Sequence, residues 1–379
     1  MEPFTLHVPD SVLSDLRDRL VATRWPGAFP EPGWGYGTDA AYLRELVEYW
    51  LSSFDWRAQE ERLNGLSHHR VTVDGTGVHF VWERGDGPNP LPLILTHGWP
   101  STFAELERVI PLLTHPEDPA DAFDVVVPSL PGFGFSGKPA EPGIFNSAGI
   151  ARLWTSLMRD HLGYERFAAA GGDLGSYVTS RLGMHHAENV VGIHIDPIAL
   201  VERPLVDPAE GTDEEKAFYA GLLAWVEEEG AYSRFQATKP STLTFGLNDS
   251  PAGLASYIVE KFRAWSDCGG DVERRFGKDQ LLTTVTLYWA TGTIGSSFLP
   301  YYDAKHHAPA DPTFVEVPTA VALWPGDPIM SNPFPPRSYA ERGFNVRRWT
   351  EMPCGGHFYA SEEPELLAQD LREFFRPLR

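Results

Sequence analysis

A chain of 379 residues, 42% hydrophobic and 12% aromatic, can build one large core with an insertion or two modest domains. Its formal net charge of −21 leaves no basic face for phosphates, which excludes non-specific binding to DNA, RNA or an anionic membrane surface. The two cysteines, Cys268 and Cys354, are too few for a disulfide framework and form no CxxC pair for zinc, so free thiols are expected.

The chain opens on MEPFTLHVPDSVLSDLRDRL, which lacks the basic stretch and apolar core of a signal peptide. No uninterrupted apolar run is long enough to span a bilayer, and a cytoplasmic protein is expected. Residues 10–23 predict a helix, capped by Asp10 or Ser11, with Val12, Leu16, Leu20 and Val21 on one face. A second amphipathic helix runs from about Asp39 to Phe54. Residues 70–74 and 77–84 alternate around Asp74-Gly75 and predict a hairpin. Short apolar strands follow at Leu91–Thr96, Phe123–Pro128, Arg166–Ala170 and Val190–Asp196, with helices near 147–162 and 174–186. Buried strands separated by helices imply a mostly parallel sheet covered on both faces.

Residues from about 198 to 300 break this rhythm with an acidic helix, Asp213–Glu229, and aromatic-rich helical segments. The strand pattern resumes at Val317–Pro325 and Val346–Met352, and a helix from about Glu363 to Phe375 closes the chain. The predicted organisation is an arm over 1–69, a first core part over 70–197, a helical lid over 198–305 and a second core part over 306–379. An insertion at that point would sit over the strand C-terminal ends, where sites form in such sheets.

Four local signals carry chemistry. Gly171-Gly172-Asp173-Leu174-Gly175 follows a strand and opens a helix, the layout of the G-x-S-x-G nucleophile elbow with Asp in the serine position. Small neighbours are needed there because the backbone is strained and the chains pack closely. His97-Gly98-Trp99-Pro100 follows strand Leu91–Thr96, where a loop supplies one oxyanion-hole donor; this nominates the N–H groups of Trp99 and Leu174. Pro100 has no N–H and is no donor. Gly355-Gly356-His357-Phe358 lies between the last strand and the last helix, and a glycine-flanked His suits a general base. Asp327 ends the strand before it and can orient His357.

Taken singly, the elbow, the loop at Trp99 and Asp327 each have an ordinary turn as an alternative, favoured only for Asp327; the order nucleophile, acid, base along one sheet is that of α/β-hydrolases. His68-His69, His185-His186 and His306-His307 read as surface pairs rather than metal ligands.

An aspartate at the elbow changes the reaction class. A carboxylate attacks a strained or activated sp³ carbon by back-side displacement and forms an alkyl ester, which base-activated water then hydrolyses. That predicts cleavage of an epoxide or of a carbon–halogen bond. An epoxide opens to an alkoxide and wants an acid, for which tyrosine is suited. Tyr232, Tyr301 and Tyr302 are available in the insertion.

With these residues in view, the chain resembles the microsomal-type epoxide hydrolases over nearly its whole length. His97-Gly98-Trp99-Pro100 is similar to the family's HGxP loop, Pro131-Gly132-Phe133-Gly134-Phe135-Ser136 to its loop after the third core strand, and Gly171-Gly172-Asp173 and Gly355-Gly356-His357-Phe358 to its elbow and base segments. Trp34-Gly35-Tyr36-Gly37, Trp50 and Phe54-Asp55-Trp56-Arg57 resemble its N-terminal arm. The resemblance implies Asp173 as nucleophile, His357 as base, Asp327 as orienting acid and two acid tyrosines in the lid. One falls at Tyr232, ahead of Gln236-Ala237-Thr238-Lys239-Pro240. For the other, Tyr301 and Tyr302 compete, and spacing to Asp303 prefers Tyr302.

Two departures stand out. Mammalian members carry a membrane anchor ahead of the arm, whereas this chain starts within the arm, so membrane residence is not carried over. The segment between acid and base is also longer around Ser331–Pro336, which keeps Glu351 as an alternative to Asp327. The chain is similar, too, to bacterial members of natural-product pathways, including those for enediyne antibiotics, which implies an aryl- or vinyl-type epoxide substrate. No cofactor, metal, nucleic acid or membrane partner is implied, and a homodimer remains open beside a monomer. Competing readings are a haloalkane dehalogenase and a ligand-binding relative without turnover; the tyrosine pair, the arm and the full set Asp173, His357 and Asp327 argue against them.

Overall fold

The computed structural model describes all of the chain except residues 28, 140, 203–204, 208–209 and 310–313. Among the described residues, nine strands form one sheet: β1 (Glu2–Pro3), β2 (His68–Val73), β3 (Thr76–Glu83), β4 (Leu91–Thr96), β5 (Phe123–Pro128), β6 (Phe167–Gly171), β7 (Val190–Ile195), β8 (Val315–Leu323) and β9 (Phe344–Glu351). Their order is β1-β2-β3-β5-β4-β6-β7-β8-β9. β1, β2 and β3 pair antiparallel, and everything from β5 to β9 is parallel. The β2–β3 turn holds Asp74 at φ 46° and Gly75 at φ 80°, the left-handed pair that a tight hairpin needs.

The two-residue period of a strand sends alternate side chains to opposite faces. Ile94, Val126, Ala169, Ile193 and Val321 enter one core; Leu93, Leu95, Val125, Val127, Ala168 and Ala322 enter the other. The helix Leu174–His185 brings Val178 and Leu182 to the first face, and the helix Pro364–Phe375 brings Leu367, Leu371 and Phe374 to the second. This is the α/β-hydrolase fold, with the double cover predicted for fully buried strands.

Chain order reverses between β4 and β6: β5 lies on one side of β4 and β6 on the other, with β4 and β6 paired directly. Such a switch point opens a crevice at the strand C-terminal ends. Among the described residues, six α-helices lie between β7 and β8, from Asp213–Glu229 to Leu299–His306, in the stretch read as a lid. The first is started by a capping box in which Thr212 and Glu215 exchange bonds of 2.8 and 3.2 Å, and Glu215 is tied back to the core by Arg342 at 2.8 Å. The arm helices Asp10–Val21 and Ala40–Ser52 pack on the lid helix Pro251–Trp265, so the arm braces the lid.

Three expectations need correction. Pro9 occupies the cap position of the first helix, and neither Asp10 nor Ser11 caps it. The helix Trp56–Leu63 was not predicted; Asp55 caps it through the N–H groups of Arg57 and Ala58. His68 and His69 are not a surface pair: His68 is buried, with its Nδ1 3.0 Å from His79 Nε2.

Candidate active site

The elbow lies between β6 and the helix Leu174–His185. Asp173 adopts φ 53° and ψ −125°, a strained conformation that lifts its side chain above the sheet edge. The glycines around it have no room for a methyl group. A Cβ on Gly175 would sit 2.0 Å from Thr96 O, and one on Gly171 would sit 2.6 Å from Gly175 O. Buried Asp196, at the end of β7, fixes the strained turn by accepting the Asp173 N–H at 2.9 Å. Burial raises the Asp196 pKa to about 7.

Trp99 N–H donates to Asp173 Oδ1 at 2.8 Å. That bond engages Oδ1 and leaves Oδ2 facing His357. His97 sets the loop: its Nε2 accepts the Leu130 N–H at 3.2 Å, so its Nδ1 donates to Gly98 O at 3.0 Å. Burial lowers the His97 pKa to about 4, which keeps the ring neutral in this role. Leu174, the other nominated donor, is the first residue of the helix, where backbone N–H groups lack intrahelical partners.

His357 stands between two carboxylates. Its Nε2 is 3.4 Å from Asp173 Oδ2 and its Nδ1 is 3.2 Å from Asp327 Oδ2. Asp327 is itself held by Ile329 N–H at 2.9 Å. Burial disfavours charge on His357, but Asp327 and Asp173 outweigh it and hold its pKa well above the ordinary imidazole value. Glu351, the alternative acid, ends β9 with an exposed side chain, and His357 is paired with Asp327 instead.

Asp173 floors a cavity of about 450 Å³ between sheet and lid. Tyr232 and Tyr301 both line it, with ring centroids 6.0 Å apart. Trp99 joins the two to the His97–Pro100 loop, stacking on Tyr232 at 5.3 Å and meeting Tyr301 edge-on at 6.1 Å. Burial raises both phenols well above their usual pKa; the charge of Asp173 adds to this, and for Tyr232 the Tyr301 hydroxyl works against it. The preference for Tyr302 is corrected here. Tyr302 stacks on His306 at 4.2 Å, away from the cavity lined by its neighbour. Consecutive helical residues point about 100° apart, so only one of the pair can face the lid interior.

A second, small cavity of about 30 Å³ meets Asp173 from the other side and is lined by His357, Ser101, Glu105 and Tyr359. It is large enough for about one water molecule. Glu105 accepts the Ser101 hydroxyl, and burial raises its pKa to about 7. Neither Glu105 nor Asp196 was singled out from sequence. Asp196 had a legible signal, as an acid at a strand C-terminal end beside the elbow strand; Glu105 had none.

Residues 1–106 match the family described as "Epoxide hydrolase N terminus", and residues 92–364 match "alpha/beta hydrolase fold". Epoxide hydrolase 1 of Sus scrofa is 34% identical, with 99% of this chain and 88% of the relative covered. The solved epoxide hydrolase of Aspergillus niger superposes with a TM-score of 0.86 at 28% identity, over 100% of this chain and 96% of that one. The juvenile hormone epoxide hydrolase of Bombyx mori gives 0.87 at 27%, over 100% and 94%. Among the described residues no helix is long and apolar enough to cross a membrane. With an aspartate at the elbow of an α/β-hydrolase sheet and relatives of this kind along its full length, the chain belongs to the epoxide hydrolases.

Proposed function

We propose that the protein converts a bulky apolar epoxide to a vicinal diol in two steps through an ester on Asp173. Asp173 Oδ2 attacks an epoxide carbon as the ring C–O bond breaks, and the departing oxygen takes a proton from Tyr232 or Tyr301. His357 then removes a proton from water, which attacks the ester carbonyl carbon of Asp173. The N–H groups of Trp99 and Leu174 hold the resulting oxyanion. Collapse breaks the acyl C–O bond, the departing oxygen takes the remaining proton of the attacking water, and the diol leaves with the carboxylate restored. The proton held by His357 re-forms the tyrosine hydroxyl, so the sum is epoxide plus water. Asp327 keeps the imidazole in the correct tautomer.

The observation that carries this reading is the division of labour on one carboxylate: Oδ1 is bound by Trp99 N–H at 2.8 Å while Oδ2 faces His357 at 3.4 Å. An aryl- or vinyl-type epoxide, as in bacterial natural-product pathways, is the substrate class we favour. The cavity supports it, being walled by Phe145, Tyr177, Trp225, Ile198 and Val201 and large enough for a fused or substituted ring. A panel of aryl and alkyl epoxides beside matched haloalkanes tests the reaction class: diol without halide is expected, and halide without diol defeats the tyrosine assignment. A single turnover in oxygen-18 water tests the ester. The label should enter Asp173 and be missing from the first diol; label in the diol alone defeats the covalent step.

A further inference from the structure

The loop bearing the base is rich in glycine, and glycine gives up the most conformational freedom on being fixed. Something must therefore hold Gly355-Gly356-His357-Phe358. Four successive N–H groups of that loop are bound. Gly355 donates to Asp267 Oδ2 at 3.1 Å, Gly356 to Glu362 Oε2 at 3.0 Å, His357 to Trp265 O at 2.8 Å and Phe358 to Glu362 Oε1 at 3.0 Å. Glu362 Oε2 also accepts the N–H of Asp267 at 2.8 Å. One carboxylate thus grips the backbone on both sides of the base and the lid segment that follows the helix Pro251–Trp265.

Its setting is unusual for an acid. The Glu362 side chain is wholly buried, and the nearest cation, Arg275, is 3.8 Å away and also holds Asp267 and Glu363. Burying a carboxylate is unfavourable, and burial raises the pKa of Glu362 to about 7 against the pull of its N–H donors and Arg275. An apolar side chain would pack here more cheaply, so the acid is explained by its bonds. There is no slack in the joint: a Cβ on Gly356 would lie 2.5 Å from Asp267 N. The Trp265 ring meets His357 edge-on at 5.1 Å, which completes the contact between lid and base.

We propose that Glu362 is a positioning residue of the hydrolytic step, clamping the His357 loop to the lid so that the imidazole addresses water beside the Asp173 ester. The proposal rests on the two-step reading above, because only that reading separates a step that needs the base from one that does not.

The test is a rapid-quench single turnover with styrene oxide and excess protein, following alkyl-protein and diol separately. Glu362→Gln keeps the size and removes the charge and one acceptor. It should alkylate within about threefold of the parent rate and to the parent amplitude, while ester hydrolysis slows about tenfold or more. A purely structural role predicts a lower amplitude with the surviving molecules reacting at parent rates; that result, equal slowing of both steps, or unchanged hydrolysis each overturns the proposal. Should Glu362→Gln not fold, Arg275→Met leaves the carboxylate in place and loosens the clamp. It should slow hydrolysis about threefold with alkylation unchanged, and any other pattern overturns the proposal. A parent protein that never forms the adduct ends the covalent reading itself, whereas a parent adduct with equal slowing in the variants ends only the role of Glu362.

Discussion

Trp99 donates its backbone N–H to Asp173 Oδ1 at 2.8 Å before any substrate arrives. In the proposed mechanism, the donor that holds the oxyanion of the second step therefore already orients the nucleophile of the first. Preorganised donors of this kind need no rearrangement as charge develops. The arrangement depends on Gly98, where an added Cβ would lie 2.3 Å from Asp173 Cβ and 2.5 Å from Oδ1. Gly98→Ala should lower kcat by about 10²-fold or more, the usual effect of losing one oxyanion donor. Steady-state kinetics beside a thermal melt checks this, and near-parental turnover in a folded variant refutes it.

His357→Gln should leave alkylation possible and stop hydrolysis. Asp173 keeps its Trp99 N–H contact and both tyrosines, but the imidazole that faces it is gone. Intact-protein mass spectrometry after exposure to an epoxide should show one retained substrate per chain. A variant that never retains substrate defeats the assignment of His357 to the second step alone.

The tyrosine correction gives a three-way comparison. Tyr232→Phe and Tyr301→Phe should each slow ring opening, and the double change should do so by about 10²- to 10⁴-fold, the range for a lost general acid. Tyr302→Phe should stay within about twofold of the parent, because its ring lies against His306 at 4.2 Å. Stopped-flow quenching of the active-site tryptophans during alkylation reads the step directly. A severe effect at Tyr302 with none at Tyr301 reverses the assignment.

The residues that were legible from sequence share a property. Asp173, Asp327 and His357 each follow a glycine in the loop after a strand, β6, β8 and β9 in turn, so a local pattern marks them and the sheet brings them together. The ambiguous and missed ones depend on packing that no short window records. Tyr301 and Tyr302 are neighbours on one helix, and only the rotation of that helix over the cavity separates them. Glu362 reads as half of an acidic pair before Pro364, like any solvated helix start, yet its side chain is buried and Glu363 carries the visible ion pair with Arg275. His68 was read as exposed because strand pairing with β3, which brings it to His79, lies outside its own segment. The helix Trp56–Leu63 was missed because, of its eight residues, only Trp56 and Leu63 are large buried apolar ones, too few to set a period.

The electrostatics of His357 predict a pH signature that differs between the two steps. In the resting protein, burial opposes protonation, but Asp327 and Asp173 outweigh it and hold the pKa well above 6.5. A ring that holds its proton this firmly is a poor base in the resting protein. Alkylation turns Asp173 into an uncharged ester and removes one of the two charges that favour the proton, while burial still acts against it. Losing an opposite charge at this range lowers a pKa, so the pKa of His357 should fall in the intermediate. The base is thus released by the step that creates its need.

The sign follows for stability as well. A raised folded pKa stabilises the resting protein below the unfolded value of 6.5, and that contribution is lost as pH rises through the folded value. Imidazole NMR of the resting protein should give a midpoint well above 6.5. Hydrolysis of preformed alkyl-protein after a pH jump should titrate below that midpoint. Equal midpoints in the two states would mean that Asp173 contributes little to holding the proton, and that the 3.4 Å contact between its Oδ2 and His357 Nε2 has no bearing on when the base becomes available.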